Sequence, residues 1–152
     1  MKSKLKSLIA LLASCLLLLT TSAQASHSSI RTYQGGFTSS QVECDTLCTG
    51  GPLTGGLAGT LAWRMDTMED TANPDVVKLV GVNTITTPTG TLSGTDITYW
   101  NLATGEFLDF TIISSGTGAY AGARGTLLIT GYFDPAAGAG VSTYVAAIKL
   151  PS

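Results

Sequence analysis

Beyond its first 29 residues the chain alternates apolar and polar residues over short segments separated by Gly, Pro, Asn and Asp clusters. A period of two is the mark of a half-buried strand, and the clusters mark turns. The first expected strand is 30–37. A second, 57–65, places Leu57, Leu61, Trp63 and Met65 on one face. The segment 76–86 is rich in β-branched residues, and Pro88-Thr89-Gly90 turns it into 91–100. Residues 101–105 turn into 106–113, a glycine corner at 116–125 leads to 126–133, and 134–138 turn into 141–150. The glycine-rich 49–56 and the acidic 66–75 read as loops. That makes about seven strands, or eight if 41–43 contributes one. No segment beyond the N-terminus sustains a 3.6-residue apolar period. Short strands joined by short turns predict an antiparallel meander whose edges must be hidden, and closure hides them completely. An all-β, single up-and-down β-barrel of about eight strands is therefore expected, with a two-layer sandwich as the alternative.

The N-terminus has a different pattern: Lys2, Lys4 and Lys6, an apolar run from Leu8 to Leu19, then Ala23-Gln24-Ala25. This order describes a secretory signal peptide over 1–25, followed by one β-barrel domain over 26–152. The run is too short for a stable membrane span, which needs about 20 residues. Leu12-Ala13-Ser14-Cys15 resembles a lipoprotein processing site, but Leu16–Leu19 prolong the apolar run past Cys15, which favours ordinary cleavage. Export to the periplasm or the medium is expected. Removing three lysines moves the formal charge from −2 to −5, leaving Arg31, Arg64, Lys78, Arg124 and Lys149 as cations. Such sparse positive charge argues against nucleic acid as a partner.

Cys44 and Cys48 remain after cleavage, and in an oxidising compartment they read as a structural disulfide. So short a loop gains roughly 2 kcal/mol from closure. The acidic residues Asp66, Glu69, Asp70 and Asp75 fit no dedicated calcium loop, so no metal is expected there. The lone histidine, His27, lies in the expected tail, which argues against triad chemistry and His-based metal centres. No cofactor motif stands out: the Gly116-Thr117-Gly118 run has the wrong spacing for a dinucleotide fingerprint and precedes a strand.

The glycine corner reads Gly116-Thr117-Gly118, Tyr120, then Gly122-Ala123-Arg124-Gly125, followed by Phe133-Asp134, Gly138, Gly140-Val141 and Tyr144. This order resembles the dirigent and allene oxide cyclase barrel superfamily over about 107–150. The resemblance implies an eight-stranded barrel, a secreted bacterial relative, an arginine (Arg124) near the barrel cavity and self-association as a homo-oligomer. The upstream His-Asp element of plant dirigent proteins has no counterpart, so the resemblance carries the fold further than the reaction.

Candidate polar anchors for a ligand are Arg124, Tyr120 and Asp109, with Asp109 also a weak catalytic candidate. Asp109 shares a phase with Phe107, Thr111 and Ile113, opposite Leu108, Phe110 and Ile112. If Leu108 and Phe110 line the interior, Asp109 and, by the same logic, Asp96 face water, which is the preferred phase. Trp63, Tyr99, Phe110, Tyr144 and Ile148 are candidate pocket walls. The expected function is binding of a small hydrophobic or amphipathic ligand inside the barrel. The alternatives are a cyclase or isomerase acting by positioning, and a packed barrel serving as a surface interaction module.

Overall fold

The computed structural model describes residues 29–151, so the expected signal peptide, Cys15 and His27 lie outside the described residues. Eight strands follow one another: β1 (Ile30–Val42), β2 (Cys48–Leu53), β3 (Gly59–Asp70), β4 (Val76–Thr87), β5 (Gly90–Asn101), β6 (Glu106–Gly116), β7 (Arg124–Asp134) and β8 (Ala139–Lys149). Each pairs antiparallel with the next, and β8 returns to β1 from Ile30↔Lys149 to Ser40↔Ala139, closing the barrel. The up-and-down meander expected from the alternation is therefore the fold.

Two loops expected from composition, 49–56 and 66–75, are strand over their first parts, 49–53 and 66–70. Gly50-Gly51-Pro52 belongs to β2, because ladder partners on both sides hold it: Ser40↔Gly50 with β1 and Gly51↔Leu61 with β3. The eighth strand is thus 48–53, and Gln41–Val42 simply end β1. Asp66–Asp70 likewise continue β3 past an irregularity between Met65 and Thr67, pairing with β4 from Thr67↔Val80 to Asp70↔Val77. Two of their three charges are paired locally, Asp66 with Arg64 at 2.9 Å and Glu69 with Lys78 at 3.0 Å. Cys44 and Cys48 form a disulfide across the β1–β2 connection, with Cα atoms 6.1 Å apart.

One end of the barrel is plugged by two short 3₁₀ turns of matching sequence. Thr54-Gly55-Gly56-Leu57-Ala58-Gly59 joins β2 to β3, and Thr117-Gly118-Ala119-Tyr120-Ala121-Gly122 precedes β7, four strands away around the ring. Gly55 and Gly118 have φ of +80° and +57°, a conformation that glycine adopts without a Cβ penalty. Each turn buries its large apolar residue, Leu57 or Tyr120. The Tyr144 hydroxyl pins the first, donating to the Thr54 carbonyl and accepting from the Leu57 amide, both at 2.8 Å. The core then runs upward through Leu61, Ile85, Leu92, Ile113, Leu127, Ala146 and Ile148.

Candidate functional site

Away from the plugged end, the barrel holds a cavity of about 70 Å³. It lies toward the connections 43–47, 71–75, 102–105 and 135–138. Five strands contribute aromatic side chains to its wall, Phe37, Trp63, Trp100, Phe107 and Phe133, together with the aliphatic Leu47, Leu61, Leu79 and Ile129. Trp100 and Phe133 meet edge to face with centroids 5.9 Å apart. Leu47, Thr49, Trp100 and Phe107 are only half-buried, so this end is where solvent reaches the interior.

The wall formed by β3 to β6 is polar at its centre. Asp96-Ile97-Thr98 in β5 and Asp109-Phe110-Thr111 in β6 pair antiparallel, with Asp96 opposite Thr111 and Thr98 opposite Asp109. All four polar side chains point inward and are buried, Asp96 to 1% and Asp109 to 4% exposure. Asn83 of β4 joins them at 2% exposure. Its Nδ2 donates to Thr111 Oγ1 at 2.7 Å and to Asp109 Oδ2 at 3.1 Å, while Thr111 Oγ1 donates to Asp109 Oδ1 at 2.9 Å. Thr98 donates to Asp96 Oδ2 at 2.9 Å and touches Asp109 Oδ2 at 3.3 Å, so its hydroxyl links the two carboxyl groups. The Trp63 indole N–H reaches across β4 to both Asp96 oxygens, at 3.0 and 2.9 Å. Gly81 makes that reach possible: a Cβ there would lie 2.8 Å from Trp63 Nε1 and 3.1 Å from Asp96 Oδ1.

Two carboxyl groups thus share one interior, and neither forms a salt bridge. Burial pushes Asp109 up to about 7, with the Asp96 charge adding to the rise and the Asn83, Thr111 and Thr98 hydrogen bonds opposing it. Burial raises Asp96 as well, against the hydrogen bonds from Trp63 and Thr98. Asp109 lines the cavity, whereas Asp96 lies behind it under Trp63. Asn83 Oδ1 is a buried acceptor without a partner, and Trp100 Nε1 a buried donor without one. Both belong to side chains of the cavity wall.

The expected site residues are not brought together. Asp109 faces inward, the reverse of the water-facing phase preferred from sequence. Tyr120 is buried in the plug at the opposite end, and Arg124 begins β7 at that same end, exposed, donating to the Ala123 carbonyl at 2.8 Å. Neither lines the cavity. Of the five expected walls only Trp63 does. Tyr144 and Ile148 point inward below it, while Tyr99 and Phe110 are 47% and 44% exposed on the outer surface. Asn83, Thr98, Thr111 and Trp100 are absent from the expected site; the paired Asp-x-Thr triplets signal Thr98 and Thr111, and nothing local signals Asn83 or Trp100. Antiparallel neighbours with that pattern place each Asp opposite the other strand's Thr.

The outward phase of β5 to β8 is correspondingly apolar. Ile97, Phe110, Leu128 and Val145 lie side by side in one row across the four strands, flanked by Tyr99, Leu108 and Ile112. The charged residues of this face, Glu106, Arg124, Asp134 and Lys149, stand at strand ends. Among the described residues no helix is long and apolar enough to cross a membrane. Comparison with protein-family models, curated proteins and solved structures found no match to this chain.

Proposed function

We propose that this chain is an exported β-barrel that binds one small apolar or amphipathic molecule in the cavity beneath the 43–47 and 102–105 connections. The observation that carries the reading is the pairing of an aromatic wall with two unsatisfied buried polar atoms, Asn83 Oδ1 and Trp100 Nε1. Buried polar groups are nearly always hydrogen-bonded, so an unpaired donor and acceptor on one cavity wall suit a guest with polar groups of its own. An engineered dry cavity of about 150 Å³ holds a benzene ring. A ligand of this barrel would therefore seat its head and a short stem inside and leave the rest at the mouth. Export is supported by the N-terminal pattern and the Cys44–Cys48 disulfide. The eight-stranded closed meander and the glycine corner support kinship with the dirigent and allene oxide cyclase barrels.

The two tryptophans of the chain both line the cavity, so their fluorescence reports occupancy directly. Titration with 1-hexanol and hexylamine should change that emission saturably, and Ile129→Phe, which fills the cavity, should abolish the response while leaving the far-ultraviolet spectrum intact. No saturable response to either compound, with no small molecule retained in native mass spectra, would reject the reading. The apolar outer row of β5 to β8 supports a second partner, another copy of this chain, because no charge interrupts the face between its ends.

A further inference from the structure

The polar wall has an electrostatic peculiarity that an ordinary apolar pocket lacks. It brings two carboxyl groups together and surrounds them with neutral donors only: the Trp63 indole, the Thr98 and Thr111 hydroxyls and the Asn83 amide. The described cations are elsewhere. Arg64 and Lys78 hold Asp66 and Glu69, and Arg31, Arg124 and Lys149 are exposed at the plugged end. A buried negative charge without a counter-ion is costly. Asn83 Oδ1 adds an unpaired acceptor on the same wall, beside Asp109.

An acceptor pair of this kind takes a donor that carries positive charge. Five aromatic rings line the same cavity, and aromatic rings attract cations at their faces. We propose that the cavity's ligand is a small organic amine, its ammonium group donating to Asp109 and to Asn83 Oδ1 and its apolar stem lying among Trp63, Trp100, Phe107 and Phe133. This proposal rests on the cavity reading above and narrows it. A carboxylate ligand is disfavoured by the same charges; a neutral alcohol could also accept from Trp100 Nε1, which an ammonium cannot, but it gains no ion pair with Asp109.

Proton linkage gives the proposal its signature. The ammonium pairs with ionised Asp109, so binding competes with the proton that Asp109 holds in the empty barrel. The titratable group facing Asp109 across β5 is Asp96; the remaining contacts from β4 and β6 are the neutral Asn83 and Thr111. Affinity for the amine should therefore rise as pH increases through about 7.

The test is a set of calorimetric and tryptophan-fluorescence titrations of the intact protein with hexylamine, 1-hexanol and hexanoate, each at about pH 5.5 and about pH 8.5. Hexylamine is expected to bind roughly ten- to a hundredfold more tightly than 1-hexanol at the higher pH, as for a charge-assisted hydrogen bond. That margin should collapse at the lower pH, and Asp109→Asn should remove it while 1-hexanol still binds. Should that variant not fold, the pH dependence of the intact protein decides alone. Equal affinity for amine and alcohol at both pH values, or tighter binding of hexanoate, would overturn the amine proposal and leave the cavity reading standing. Binding of none of the three would overturn both.

Discussion

Asp109 occupies the position where burial, a neighbouring carboxyl and three hydrogen bonds compete for one proton. Its folded value of about 7 stands above the ordinary 3.8, so between those limits the folded chain holds a proton that the unfolded chain has released. Stability must then fall as pH rises across that window, since the native state is the one with more bound protons. Asp96 is shifted in the same direction and steepens the effect. The variant Asp109→Asn cannot ionise. Its unfolding free energy should match the parent's at about pH 4 and exceed it at about pH 8 by more than about 1 kcal/mol, flattening the pH dependence. A parent protein whose stability climbs from pH 4 to 7 would contradict the buried, unpaired placement of this side chain.

At the level of strands, the polar wall depends on what β4 leaves out. Gly81 sits opposite Asp96 in the ladder, and its missing side chain is the passage through which Trp63 reaches the carboxylate. Gly81→Ala should push the indole off Asp96 and leave a buried carboxyl group short of a donor, costing about 1–3 kcal/mol in chemical denaturation. Part of the cost comes from collision with the Arg64 carbonyl, and a double-mutant cycle separates the two. In a Trp63→Phe background the loss should be smaller, because the hydrogen bond is already gone. An equal loss in both backgrounds would mean that Gly81 serves the backbone alone.

The molecule as a whole is polarised twice over. Along its axis, the Leu57 and Tyr120 turns close one end while the half-buried ring of Leu47, Thr49, Trp100 and Phe107 marks the other, so the cavity opens at one end. Around its circumference, Arg64, Asp66, Glu69 and Asp70 lie on β3, whereas the outer row of β5 to β8 is apolar. Ile112 at 58% exposure and Phe110 at 44% are large side chains to leave in water. Sedimentation should find the parent self-associated at micromolar concentration and Phe110→Glu monomeric, with thermal stability of the variant protomer little changed. A monomeric parent would remove the second copy from consideration.

The order of strands and turns was written in the local sequence, because period-two alternation and turn residues act over a few neighbours. Hence β4 to β8 could be read almost to their ends, and from their meander the closed barrel. Segments whose composition is dominated by glycine or by acids, such as Gly50-Gly51 and Asp66–Asp70, became strands only because neighbouring ladders hold them. Alternation also could not say which phase faces inward. In β5 and β6 the apolar phase, Ile97, Phe110 and Ile112, faces out, and the Asp-x-Thr phase faces in. That choice belongs to closure: the register of four strands must be fixed before Trp63, Asn83, Asp96 and Asp109 can satisfy one another. The glycine corner shows the same division from the other side. Its sequence specified a tight turn between two strands, but only the closed barrel decided that this turn seals the end opposite the cavity.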